Sequence, residues 1–219
     1  MSSDDPLIIS GMLEANKMME ASVHAYLVRL IADREAHAKF MNMLSMLEHM
    51  GSRKIMVSQM HKQETLTEDT LKHLAEEARH AYFFKRQAER AAGHALDGWT
   101  EENTTARVPA LMYFGRMDAG ISKEVGDDLA YYWVSLIIEL RACWLYRIYQ
   151  EALEASDYQL SLKSLIAEED GHLEEMFGAC GADTQRLRAL STYETELFKK
   201  LWAQIDDSSE NSVEMGQAA

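Results

Sequence analysis

The chain has 219 residues, 47% of them hydrophobic, only 2 prolines and a formal net charge of −14. That length suits one domain with a sizeable core, and the composition favours an all-helical globular fold over disorder or a β-sandwich. An acidic surface without any Lys/Arg run repels phosphate backbones and argues against nucleic acid as a partner. The two cysteines, Cys143 and Cys180, leave no disulfide framework and no CxxC metal module.

No apolar run approaches transmembrane length. The start, Met1-Ser2-Ser3-Asp4-Asp5-Pro6, lacks the basic region of a signal peptide. The expectations are therefore no membrane span and a reducing cytoplasm. Asp5 before Pro6 reads as a helix start. A first helix is expected to about Ile31, with Ile8, Met12, Met19, Val23 and Leu27 on one side. Asp33 suits the cap of a second helix carrying Phe40, Met41, Leu44, Glu48, Ile55 and Met56. Helical spacing puts Met41, Leu44, Glu48 and Ile55 on one stripe. A carboxylate in the middle of an apolar stripe is an anomaly.

Thr65-Leu66-Thr67-Glu68 reads as a capping box. The helix after it presents Leu74, Glu77, His80, Ala81 and Phe84 on one face and fades at Gly93. With the turn centred near Gln63, Glu48 lies 15 residues before it and Glu77 14 after it. Two antiparallel helices then bring the carboxylates to one level, whereas Glu35 would be off level by roughly 20 Å.

Residues 94–125 contain Gly98, Pro109, Gly115 and Gly120 and are expected to lack a long helix, although Leu111-Met112-Tyr113-Phe114 suits a short one. Such a link joins two helices running the same way, as a bundle with one long crossover requires. Asp127 or Asp128 starts the third bundle helix, with Tyr132, Leu136, Glu139, Ala142, Cys143 and Tyr146 as its inner stripe. Ser156-Asp157-Tyr158-Gln159 reads as another capping box. The fourth helix places Leu162, Leu165, Ile166, Glu169, His172, Leu173 and Met176 inside, and Gly181 ends it. A last amphipathic helix follows over 183–206 through Leu187, Leu190, Leu197 and Leu201. The expectation is one all-α domain over 1–206, a four-helix bundle with one long crossover and extra N- and C-terminal helices. Residues 207–219 form a polar tail.

The pattern Glu-x-x-His occurs twice, as Glu77-Ala78-Arg79-His80 and as Glu169-Asp170-Gly171-His172. Residues three apart share a helix face, so each pair aims a carboxylate and an imidazole at one point. Glu48 stands 29 residues before Glu77, and Glu139 stands 30 before Glu169. Glu48 to Glu139 spans 91 residues and Glu77 to Glu169 spans 92, so the same hairpin occurs twice. A single copy would read as a solvated face. Two copies on apolar faces, each with a level-matched glutamate, make four converging carboxylates, which cations must hold together. Carboxylate with imidazole points to iron or manganese rather than zinc or calcium. The expected arrangement is two iron ions, or a manganese–iron pair. Glu48 and Glu139 are terminal ligands, Glu77 and Glu169 bridge, and His80 and His172 bind one metal each.

From about Phe40 to Met176 these residues resemble the ferritin-like di-iron carboxylate superfamily. Ser135-Leu136-Ile137-Ile138-Glu139, Tyr146-Arg147-Ile148-Tyr149 and Glu77-Ala78-Arg79-His80 are similar to stretches of the aldehyde-deformylating oxygenases. That family tends to place an Asp just before the last Glu-x-x-His, where this chain has Glu168, and Gly171 inside the motif loosens the helix. His73-x-x-x-Glu77-x-x-His80 is similar to the set by which some di-iron N-oxygenases add a third histidine, although there it belongs to the last helix. A seventh ligand is the less common arrangement, so His73 is expected beside the site or at the surface. Tyr132 and Tyr146 flank Glu139 and are positions for a radical or an electron relay, but core packing is the ordinary role for both, as for Cys143.

The resemblance implies an oxidoreductase that takes O2 or peroxide and an external electron donor. Met41, Phe84, Cys143, Leu165 and Met176, with Gly51 beside them, suit an apolar pocket. The expected activity is that of an oxidase or oxygenase acting on an apolar small molecule. The alternatives are a ferroxidase or rubrerythrin-like peroxidase and, in another class, a non-catalytic helical scaffold. An oligomer is compatible with each.

Overall fold

The computed structural model describes the backbone of residues 6–60 and 66–217, with side chains over 16–60 and 66–206. Among the described residues there are seven helices and no strand, in keeping with an all-α chain. They are α1 (Pro6–Ala32), α2 (Arg34–Gln59), α3 (Glu68–Ala92), α4 (Arg107–Val125), α5 (Asp127–Glu154), α6 (Lys163–Ala179) and α7 (Thr184–Gln217). None is long and apolar enough to cross a membrane.

Local chemistry sets most of the boundaries. Asp33 caps α2 by accepting from the backbone N–H of Glu35 at 3.0 Å and of Ala36 at 3.1 Å. The cap of α3 is Thr67, whose hydroxyl accepts from the N–H of Thr70 at 3.2 Å. Thr67 is a single cap rather than a capping box, since Thr70 and not Glu or Gln stands three residues on. Thr65, the turn centre at Gln63, Asp5 and the side chains of Ile8 and Met12 lie outside the described residues. α6 ends in two paired backbone bonds, Gly181 N–H to Gly178 O and Ala182 N–H to Phe177 O, with Gly181 left-handed at φ 69°. This is the glycine-terminated helix end that satisfies the last carbonyls, and Gly181 is the stop the sequence suggests.

Two segments differ from expectation. Residues 107–125 form a 19-residue helix rather than a short one. Pro109 falls in its first turn, where a missing N–H loses nothing. Gly120 is a close-approach site: a Cβ there would collide with the Tyr193 hydroxyl, which donates to the Arg116 carbonyl at 2.9 Å. The second difference is the start of α6. Ser156 does not cap it. The Ser156 hydroxyl donates to Leu153 O at the end of α5 and accepts from Tyr158 N–H. The Gln150 side chain instead accepts from Leu162 N–H at 2.6 Å, and α6 begins at Lys163. α7 continues past Asp206 to Gln217.

The fold divides into two compact units, with boundaries after Ile31, Gly115 and Leu197. One contains α2, α3, the first part of α4 and the last part of α7. Here α2 packs on α3. Phe40, Met41, Leu44, Ile55 and Phe84 are buried, while Met56 is exposed. The loop after α3 is held by Lys85, whose ammonium donates to Leu96 O at 2.9 Å and Gly98 O at 3.1 Å. Asn42 adds a bond to Asn103 O at 2.8 Å.

The other unit contains α1, the last part of α4, α5, α6 and the first part of α7, and in it α5 packs on α6. α5 is buried on nearly all sides, as a helix apolar all round must be. The narrow stripe expected for it is therefore too narrow. Trp133, Ile137 and Tyr149 are fully buried, while Tyr132 and Ala142 are half-buried. A buried ion pair crosses this core. Arg141 grips Glu194 of α7 bidentately at 2.8 and 2.6 Å, donates to Asn16 Oδ1 of α1 at 3.0 Å and stands 4.8 Å over the Trp144 ring.

Candidate metal centre

The α2–α3 pair carries Glu48, His73, Glu77 and His80, all buried in the helix contact. Glu77 Oε1 lies 3.8 Å from His80 Nδ1 and 3.7 Å from His73 Nε2, both longer than hydrogen bonds. Glu48, Glu77 and His80 each offer a donor atom within 4.8 Å of the others. His73 approaches Glu77 within the same limit but stands outside that triplet. Small residues let the helices come this close. A Cβ at Gly51 would lie 2.8 Å from Glu77 Oε2, so the carboxylate rests against the α2 backbone in a space that alanine would fill. The Ser45 hydroxyl donates to Ala81 O at 2.8 Å and accepts from Trp99 Nε1 at 3.3 Å. Trp99 also stacks on His49. These contacts pin the helix rows next to Glu48 and His80.

The α5–α6 pair carries Glu139, Glu169 and His172, also buried. His172 Nδ1 lies 3.1 Å from Glu169 Oε2 and 3.7 Å from Glu139 Oε1. Asp170, beside Glu169, pairs with Arg147 at 2.5 Å and accepts from the Cys143 thiol at 3.6 Å. Burial pushes the Cys143 thiol well above its ordinary range, and the Glu169 and Asp170 carboxylates push it further. Cys143 is therefore a protonated, buried thiol. Glu168 is half-buried. Asp170, which sequence reasoning passed over, is tied to the facing helix through Arg147 and Cys143. Tyr146 is buried, and Tyr132 packs against Tyr131. Glu35 is exposed and pairs with Lys39 at 2.8 Å.

The donors fit a divalent cation. Two ligand atoms, each about 2.1 Å from one ion, stand roughly 3 to 4 Å apart, and the carboxylate–imidazole separations fall in that range. The room kept at Gly51 for a carboxylate oxygen agrees with this. These buried groups can hold a metal ion. No family model, curated protein or solved structure matches the chain.

Proposed function

We propose that the buried carboxylates and imidazoles of the repeated motif hold a dinuclear metal centre in a ferritin-like helical fold. The protein is then a di-metal carboxylate oxidoreductase, di-iron or manganese–iron, which uses O2 or peroxide and an external electron donor to oxidise an apolar small molecule. The observation that carries this reading is the doubled, buried donor set. On α2–α3, Glu48, Glu77 and His80 lie within donor distance of one another, and on α5–α6 the His172 imidazole lies 3.1 Å from Glu169 and 3.7 Å from Glu139. In the α5–α6 half one imidazole, His172, offers at most one positive charge against the two buried carboxylates Glu139 and Glu169, so ionised carboxylates leave a net negative charge buried there. Uncompensated buried charge costs several kcal/mol, and a cation offsets it.

Glu48, Glu77, His80, Glu139, Glu169 and His172 are the residues that hold the ions. Two such ions supply two-electron reduction of O2 or peroxide. The chain supplies position and dryness. Ser45 and Gly51 set the approach of α2 to α3, and Gln150 sets the start of α6. Met41, Leu44, Phe84, Leu136, Leu165 and Met176 are buried apolar side chains on the same four helices. Elemental analysis after anaerobic Fe(II) loading tests the reading, with about two metals per chain expected and chelator lowering the melting temperature. No bound metal, with stability indifferent to chelator, overturns it in favour of a scaffold. Uptake of many irons per chain favours the ferroxidase alternative.

A further inference from the structure

Each motif helix turns one face to the interior and the other to solvent, and the two outward faces differ. From Lys72 onward every exposed charged side chain of α3 is a cation: Lys72, Arg79, Arg86 and Arg90. Residues four or seven apart share a helix face, so the four form one stripe, about 27 Å long at 1.5 Å per residue. Tyr82 lies within it, 61% exposed, with the Arg86 guanidinium 5.7 Å from its ring centroid. All this stands on a chain whose net charge is −14. The metal motif does not ask for these cations. The second copy of the motif lies 92 residues on, and the α6 positions that match Lys72, Arg79, Tyr82 and Arg86 are Ser164, Gly171, Glu174 and Gly178, all exposed. Beyond Lys163 the exposed charge of α6 is acidic, at Glu174 and Glu175.

Exposed tyrosine among arginines is the composition of a protein contact, and the charge selects an acidic partner. A compact acidic protein can touch the stripe alone. A nucleic acid would run on over the acidic remainder of the surface, past the roughly 8 Å reach of the stripe's charges in physiological salt. One helix face is a small contact, of the kind made in brief electron-transfer encounters rather than by a permanent subunit. Its place suits the same role. Glu77 and His80 lie on the buried side of this helix, and a helix is about 10–12 Å across, so a carrier on the outer face stands one helix diameter from them. We propose that the outer face of α3 is the docking surface of the electron donor, an acidic electron-carrier protein. The proposal rests on the metal-centre reading above and names the class of its donor. Each docked carrier is oxidised by one electron, so two dockings return two trivalent ions to the divalent state.

The test uses the full chain, iron-loaded and air-oxidised, with plant-type ferredoxin and flavodoxin as acidic probes. Calorimetry reads their binding, and anaerobic stopped flow reads the oxidation of the reduced carriers. Arg86→Glu with Arg90→Glu should weaken the binding of a carrier and slow its oxidation by about tenfold at low ionic strength. Lys199→Glu with Lys200→Glu changes the net charge equally at exposed positions of α7 and should leave both readings within about twofold. Dithionite, which needs no docking, should reduce the two variants alike. Failure of both carriers to bind, or equal losses in the two variants, overturns the docking surface and leaves the metal centre standing. Self-association of the wild type that Arg86→Glu with Arg90→Glu abolishes assigns the face to a second copy and overturns the proposal too. A chain that takes up no iron overturns the metal centre, and the donor role falls with it. All four substituted side chains are exposed, so the comparison does not depend on a buried change being tolerated.

Discussion

In the α2–α3 half a carboxylate stands between two imidazoles, Glu77 between His73 and His80. In the α5–α6 half an imidazole stands between two carboxylates, His172 between Glu139 and Glu169. The same four-residue motif thus sits in two different local charge balances, two carboxylates with two imidazoles against two carboxylates with one, set by one residue four positions upstream. The α5–α6 half has the larger surplus of carboxylate over imidazole, and its motif helix is the weaker one. α6 starts without a side-chain cap and carries Gly171 in its interior, where α3 has Thr67 as its cap and Arg79 at the matching position. The metal-free protein should therefore open at α6 before α3, as hydrogen exchange would register.

The largest break comes from removing a motif glutamate. Glu77→Ala and Glu169→Ala should each lose the metal while the helical circular dichroism persists, and full occupancy in both would remove the ligand assignment. Next comes the buried pair. Arg141→Met leaves Glu194 charged and stranded and should cost about 3–5 kcal/mol in denaturant titration. Arg141→Met combined with Glu194→Leu should recover most of that loss, because no orphaned charge remains.

Acid should tell on the α2–α3 half. Burial lowers the His37 pKa to about 4 from an ordinary 6.5. A lowered histidine pKa means that the unfolded chain takes up a proton before the folded one. This contribution is intact above pH 6.5 and is lost as the pH falls towards 4, at a rate of up to about 1.4 kcal/mol per pH unit. Metal-free His37→Leu should flatten the pH dependence of the urea midpoint over that window, and an unchanged slope would count against it.

The smallest and sharpest test pairs two glycines. Gly51→Ala and Gly171→Ala each replace a helical glycine, a change that stabilises an exposed helix by roughly 0.5–1 kcal/mol. A methyl group at 171 meets open space, whereas at 51 it meets Glu77 Oε2. Gly171→Ala should raise the melting temperature and leave metal affinity alone. Gly51→Ala should weaken metal binding without loosening the helix. Equal metal affinity in the two variants would show that Glu77 needs no space beside α2.

The motif residues were legible because a charge on an apolar stripe stands out against the helical period, and Glu48, Glu77, Glu139 and Glu169 all do so. Arg141 and Glu194 break their stripes in the same way, Glu194 lying between Leu190 and Leu197 on α7. They went unread because they carry no repeated pattern to tie them together, and their partnership spans three helices. α4 was hidden by Pro109, Gly115 and Gly120. A breaker in the first turn is harmless, and a glycine facing a tyrosine is a contact rather than a stop. The surroundings of His73 depend on which way α3 is turned, and the period alone could not separate an edge of the apolar face from its centre. Ser156 looked like a helix start because hydroxyls close helix ends and open them with the same atoms.

One contact has a bearing on how the chain can vary. The Tyr193 hydroxyl occupies the room that any side chain at position 120 would need. A change at 120 alone meets an obstacle, and so does any enlargement at 193. The two positions are one inherited character written in two places, 73 residues apart in the gene product. In a library randomised at both, survivors with alanine or serine at 120 should be those that have traded the tyrosine for something shorter.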